Sequence, residues 1–152
     1  MTLNAEVEAL RKVPLFRKID TAKLRLLAFI SDRVTVRAGE DLCRQGESGD
    51  SAFIVLDGEA DVLVETDQGL RKVAGVATND IVGEIAILCD VPRTATIRAT
   101  TEMAILSINK DNFLKLLKEF PDIALEVMRV LAARLERTTR DLADLRSATG
   151  GN

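Results

Sequence analysis

The spacing of apolar residues changes twice along this chain. From Asn4 to Ile30 they recur at helical intervals, and Val7 and Leu10 share a face of AEVEALRKV. Pro14 interrupts. LFRKIDTAKLRLLAFI then restarts the pattern, with Asp20 or Thr21 placed to cap a helix carrying Leu24, Leu27 and Phe29. From Arg33 to Ile108 the pattern shortens to β-rich runs: VTV, FIVL, DVLVE, RKVAGV, TATIRA and MAILSI. Glycine and aspartate punctuate them, in AGED, QGESGD, DG and DQG. Asp57-Gly58, between FIVL and EADVLV, predicts a hairpin, because both turn residues must tolerate positive φ. Asp67 to Gly69 marks another. Closely spaced short strands of this kind predict a roll or barrel. From Asn109 to Arg146 the helical period returns: Asn109 caps FLKLLKEF, and Pro121 opens DIALEVMRVLAARLERTTRDLADLR. Residues 147–152, SATGGN, lack apolar anchors and are expected to form a flexible tail.

This order predicts one α+β domain over residues 1–152. N-terminal helices occupy 4–30, a jelly-roll-like antiparallel β-roll 33–108, and two C-terminal helices 109–146.

Composition narrows the chemistry. At 152 residues, 47% hydrophobic and 30% charged, the chain is about one domain long and can bury a real core. A net charge of -3 argues against a nucleic-acid-binding surface. Histidine is absent, which removes His-based triads, His-ligated metals and imidazole acid–base chemistry. Cys43 and Cys89 stand in no metal-ligand spacing. They are expected to be small buried hydrophobes in a reducing, cytoplasmic setting. MTLNAEVEALRK lacks the apolar core of a signal peptide, and no apolar run approaches the ~20 residues of a membrane span. No metal, cofactor, nucleic-acid or membrane partner is expected.

One stretch stands apart: GEIAILCDVPRTATIRA, Gly83 to Ala99. Its first part does not alternate as a strand does. EIAIL can make one helical turn, started by a glycine that lets a ligand approach the backbone. Free N–H groups at such a start attract an anion. Arg93 can meet the same anion with a forked, charge-assisted contact, while Thr94 offers a hydroxyl and Ala95 an amide. The Glu84 carboxylate suits an adjacent hydroxyl pair, such as a ribose. Together these describe a site for a phosphorylated sugar. The spacing alone also fits a hairpin with a surface Glu–Arg pair worth little.

The stretch resembles the phosphate-binding cassette of the cyclic nucleotide-binding domain family, which includes catabolite activator protein, protein kinase A regulatory subunits and cyclic-nucleotide-gated channels. The pattern G-E-x-A-x-L followed by R-[ST]-A-T is met at Gly83, Glu84, Ala86, Leu88, Arg93, Thr94, Ala95 and Thr96. The resemblance extends to VPLFRKIDTAKLRLLA and, through Gly39, Gly46, Gly49, Asp50 and Gly58, to AGEDLCRQGESGDSAFIVLDGEADV. It implies a short phosphate-binding helix inside the roll and a ligand site at Val82, Gly83, Glu84, Ile85, Ala86, Arg93, Thr94 and Ala95. In that site backbone amides near Gly83, Glu84 and Ala86 cradle the cyclic phosphate, and Arg93 neutralises it. Thr94 and Ala95 complete the phosphate contacts, and Glu84 accepts from the ribose 2′-hydroxyl. Val82 stands where many members have Phe, and Asn79-Asp80 where many have Gly-Asp. These departures touch wall packing and turn geometry, not the charged contacts.

Arg134 falls where channel-type members place an arginine over the purine, which implies a cation–π stack. Otherwise it is a solvated helix arginine near Glu136 or Asp141. Thr94 permits cGMP in its syn form without demanding it. The reading favours cAMP, with cGMP as the alternative.

In the last helix Ala124, Met128, Leu131, Leu135, Thr138, Leu142 and Leu145 follow a 4-3 spacing over about three heptads. Up to about Arg134 the helix is expected to pack on the roll. Beyond that, parallel pairing with a second copy, as in catabolite activator protein, predicts a homodimer through Met128, Leu131, Leu135, Leu142 and Leu145. Folding back on the same subunit is the alternative. No helix-turn-helix is expected in the residues after 146. A complete chain would be a stand-alone sensor acting through a partner protein, and a fragment would have its output elsewhere. The expected function is a cyclic-nucleotide sensor whose last helix closes over the base. A degenerate structural or protein-interaction module is disfavoured by the intact Glu84 and Arg93. An enzyme such as a phosphodiesterase is disfavoured by the absence of histidine and of a carboxylate cluster with metal spacing.

Overall fold

Two of the α-helices open on a side-chain cap and one on a proline. The computed structural model describes residues 3–149. Helix α1 spans Leu3–Arg11 and buries Val7 and Leu10, and a 3-10 turn follows at Pro14–Phe16. The Asp20 carboxylate accepts from the Lys23 amide at 3.0 Å and so caps α2, Thr21–Ile30. Leu24 and Leu27 are buried, but Phe29 is 77% exposed. Five residues at 3.6 per turn carry Phe29 well around the helix from Leu24, so the two cannot share a face.

Eight strands form two antiparallel sheets. They are β1 Asp32–Val36, β2 Asp41–Cys43, β3 Ser51–Asp57, β4 Ala60–Thr66, β5 Gly69–Val76, β6 Ile81–Val82, β7 Thr96–Ala99 and β8 Met103–Asn109. The first sheet runs β1-β8-β3-β6 and the second β2-β7-β4-β5. A short helix, α3, Glu84–Leu88, lies between β6 and β7. Helix α4, Lys110–Glu119, is capped by the Asn109 side chain, which accepts from the Asn112 amide at 2.8 Å. Helix α5 runs Pro121–Thr149.

The period-2 rule of strands sorts the core into two layers. In β3, Ala52 and Ile54 face the helices, whereas Phe53 and Val55 face the second sheet. In β8, Leu106 and Ile108 face the helices and Met103 and Ile105 the second sheet. The first sheet is thus covered on both sides, which explains why AFIV is apolar throughout. Every helix contributes to the outer layer, through residues such as Leu10, Leu24, Ile87, Phe113 and Ile123. Leu106 has no exposed surface, and full burial of such a side chain contributes about 1.5–3 kcal/mol. This architecture is the α+β roll expected from the sequence.

Three local expectations are corrected. Asp57-Gly58 is not a hairpin, because β3 and β4 belong to different sheets. It is a corner between sheets, where a Cβ on Gly58 would lie 2.7 Å from the Glu102 carbonyl oxygen and from Met103 Cγ. The Asp67–Gly69 segment does close a hairpin, with Thr66 opposite Gly69. Cys43 is half-buried and Cys89 exposed, since Cys89 follows α3 on its outer side. The last helix continues through Thr149, beyond the end expected at Arg146; of the expected tail, residues 150–152 lie outside the described residues.

Candidate functional site

Strand β6 delivers the chain to the site. Its two residues pair with β3, Val82 opposite Phe53 and Ile81 opposite Ile54. Gly83 then reverses the backbone at φ 85°, a left-handed value that suits glycine. Its carbonyl remains inside the roll and α3 starts at Glu84. Ala86 and Ile87 bury one side of α3, while Ile85 and Leu88 stay partly exposed. The chain returns through Pro92 to Arg93. There the Arg93 amide donates to the Glu47 carbonyl at 2.8 Å, and the Gly46 amide to the Arg93 carbonyl at 2.9 Å. The loop between β2 and β3 thereby fixes the backbone that carries the arginine.

Arg93 is 6% exposed. Its Nη1 donates to the Gly83 carbonyl at 3.0 Å and its Nη2 to the Ser51 carbonyl at 2.7 Å. These use two of the five N–H donors of a guanidinium. The guanidinium carbon also lies 5.3 Å from the centre of the Phe53 ring, within cation–π range.

Glu84 is 1% exposed, and its Oε1 accepts from Arg134 Nη1. Arg134 Nη2 donates to the Ile81 carbonyl at 2.6 Å. Arg134 is therefore neither free on the helix surface nor paired with Glu136, which bonds Arg140 instead. Burial pushes the Glu84 carboxyl above its ordinary 4.5. Arg134, the residue's own backbone N–H and Arg93 hold back part of the rise. The folded protein thus keeps this proton at pH values where the unfolded chain has released it. The group's contribution to stability is full below pH 4.5 and falls as pH rises through the folded pKa. Urea denaturation from about pH 4 to 7 is expected to show wild type losing stability relative to Glu84→Gln as the pH rises. A difference that does not vary with pH would contradict this.

The nine residues singled out from the sequence come together. Val82, Gly83, Glu84, Ile85, Ala86, Arg93, Thr94, Ala95 and Arg134 all line one cavity of about 120 Å³. Cys43, Val62 and Ile97 complete its wall and were not anticipated. They come from β2, β4 and β7, and only sheet register brings them here: Cys43 and Val62 both pair with Ile97. A second groove of about 500 Å³ adjoins, sharing Val62, Val82 and Arg134 with the first and adding Val73, Thr138 and Asp141. A larger cavity of about 580 Å³, between the 3-10 turn and the start of α5, contains none of the nine. Among the described residues no group of three or more His, Cys, Asp or Glu is placed to hold a metal. No described helix is long and apolar enough to cross a membrane.

Chemically, the cavity sets a buried carboxylate and a buried guanidinium around the start of a short helix. A two-sheet roll, a helical layer and this charged cradle under the last helix define a ligand-binding β-roll domain. The chain belongs to the cyclic nucleotide-binding domain family, whose model matches residues 33–120. It is 27% identical over 139 residues to a CRP-like cAMP-activated global transcriptional regulator of Mycobacterium tuberculosis, covering 91% of this chain and 62% of the relative. It is 36% identical over 125 residues to a cyclic nucleotide-gated potassium channel of Mesorhizobium japonicum, covering 82% of this chain and 33% of the channel. In fold it is similar to the catabolite activator protein of Thermus thermophilus, with a TM-score of 0.79 at 23% identity, covering 87% of this chain and 62% of that one. The chain spans less than two thirds of the length of these relatives.

Proposed function

We propose that this cyclic nucleotide-binding domain is a regulatory sensor of cAMP. The observation that carries the reading is the convergence of buried Glu84 and buried Arg93 on one cavity. Arg93 meets the cyclic phosphate, with the Thr94 hydroxyl, the Ala95 amide and the backbone around Gly83 to Ala86 as further donors. Glu84 accepts from the ribose. The base extends into the adjoining groove, between Val62 and Val73 of the second sheet and Thr138 and Asp141 of α5. A threonine hydroxyl and a carboxylate there offer acceptors to an exocyclic amine, which supports a purine and is compatible with cGMP as the second choice. The base meets α5 in that groove, and through this contact binding biases the placement of α5 relative to the roll. The signal is a population shift, limited in size by the difference in affinity between the two placements of α5. The free thiols of Cys43 and Cys89 suit a reducing, cytoplasmic setting.

Calorimetric titration tests the reading. Saturable binding of cAMP, tighter than that of cGMP, is the expected result. Silence from both nucleotides at millimolar concentration would overturn it, and tighter cGMP binding would reverse the preference.

The output partner includes a second copy of the chain. Met128, Leu135 and Leu142 are 57%, 67% and 55% exposed, and Leu145 continues their spacing. Leu131 is partly buried against the core and Val127 fully, which accounts for the first half of the helix. Parallel pairing of two α5 helices covers the exposed positions. Light scattering at high micromolar concentration is expected to give the dimer mass, and Leu135→Lys the monomer mass. A monomer mass for wild type would remove the dimer. A further effector protein receives the change in α5.

A further inference from the structure

We infer that Gln45 is a positioning residue for the phosphate cradle: it interrupts the sheet on both sides of β7 and so leaves the Thr94 and Ala95 amides free for the cyclic phosphate. The inference rests on the site reading above. Thr94 and Ala95 line the cavity immediately before β7 begins at Thr96. Among the described residues neither of their amides has an acceptor in the protein. Backbone amides beside a sheet are ordinarily taken up rung by rung, so two adjacent free ones between two ladders need a cause.

The register supplies it. Thr66 and Gly69 close the β4–β5 hairpin as a bonded pair, so the even positions of β4 face β5 and the odd positions face β7. On the β7 side Asp61 lies opposite Arg98 and Leu63 opposite Thr96. The next rung would join Glu65 to Thr94 and occupy the Thr94 amide. It is not made, because the Glu65 amide donates to Gln45 Oε1 at 2.8 Å. On the other edge of β7, Cys43 lies opposite Ile97, and the next rung would join Gln45 to Ala95. That rung is also missing, because the Gln45 amide donates to Thr96 Oγ1 at 3.0 Å. One rung further the pairing resumes, with the Arg93 amide donating to the Glu47 carbonyl at 2.8 Å.

One residue therefore ends both ladders, with its side chain on the β4 edge and its main chain on the β2 edge. Thr96 is 7% exposed, and its hydroxyl takes the amide that the Ala95 carbonyl would take in a continuous ladder. The Cys43 thiol, a weak donor at 3.8 Å, is left to that carbonyl. An amide spent in a ladder has no proton to offer an anion, whereas a free one does. Gln45 itself is not on the cavity wall. It lines a separate groove with Thr96 and Glu65, so it acts on the ligand through the backbone of Thr94 and Ala95.

The test titrates the full chain with cAMP as wild type, Gln45→Met, Gln45→Glu, Thr96→Val and Thr96→Ser. Amide exchange is followed residue by residue in each, with and without nucleotide. Met keeps the length of Gln45 without its acceptor, and Val the shape of Thr96 without its hydroxyl. Each should weaken cAMP by about tenfold or more, the size of a hydrogen bond to a charged group. Glu and Ser keep an acceptor oxygen and should stay within about threefold of wild type. Without nucleotide, Gln45→Met should slow exchange at Thr94, and Thr96→Val at Ala95, as the missing rungs close. A merely stabilising role would lower the melting temperature and leave affinity and these two amides unchanged, and that result overturns the inference. Weaker binding with wild-type exchange at both amides overturns it as well. If wild type binds no cyclic nucleotide, the site reading fails. Exchange in the unliganded proteins then still decides what holds Thr94 and Ala95 out of the sheet, and wild-type rates in both variants would refute the part given to Gln45.

Discussion

Replacing Arg93 with alanine is expected to weaken cAMP binding by about thirtyfold or more. Truncating one partner of a buried, hydrogen-bonded charge pair costs about 2–5 kcal/mol, and 1.4 kcal/mol is about tenfold in affinity. The buried guanidinium is also structural. Removing it strips the Gly83 and Ser51 carbonyls of their donors and the Phe53 ring of its cation. Each orphaned carbonyl costs about 1–3 kcal/mol, so the variant is also less stable. Calorimetry well below the melting temperature separates the two effects. Arg93→Lys provides the second test: it keeps the charge, cannot reach both carbonyls, and should lose less affinity than alanine. Binding by Arg93→Ala within about threefold of wild type would show that the phosphate lies elsewhere.

Replacing Gly83 with alanine should damage both fold and site. At φ 85° a Cβ costs about 1–2 kcal/mol from the backbone alone. The added methyl would also stand 2.7 Å from Arg93 Nη1 and 3.1 Å from the Ser51 carbonyl oxygen. Arg93 must therefore leave one of its two backbone partners. Denaturant unfolding should show a loss of about 2–4 kcal/mol, made up of this strain and a lost hydrogen bond. Affinity for cAMP should fall more than tenfold. Gly69→Ala is the control. It has φ 95° with nothing within 4 Å of the added Cβ, so it meets the backbone penalty without the collision. Equal losses in the two variants would rule out the collision with Arg93.

The contrast between these glycines bears on what a sequence can disclose. Gly83, Glu84 and Arg93 were legible because their chemistry is local: a turn, a one-turn helix and a return to the sheet within eleven residues. The caps at Asp20 and Asn109 were legible for the same reason. Cys43, Val62 and Ile97 were not, because their place on the cavity wall follows from pairing between strands far apart in sequence. The Asp57-Gly58 corner was misread because tight turns within a sheet and corners between sheets favour the same residues; only the pairing of β3 with β8 distinguishes them. Exposure of Phe29 followed from helical angle, and that of Cys89 from the outer end of α3. For Arg134 the sequence supplied the residue but not its partner, since Glu84 is fifty residues away.

The position of that arginine also has a mechanical consequence. From Arg134 to Thr149 helix α5 continues without a break for about 22 Å at 1.5 Å per residue. The bonds to Glu84 and Ile81 hold it near its midpoint, and the distal half extends beyond the cradle as a rod. A tilt of about 10° at that point would carry the far end through about 4 Å for a rod of that length. On the proposed function, a small rearrangement around a sugar hydroxyl would thereby be geared up into a displacement that a neighbouring protein surface can read.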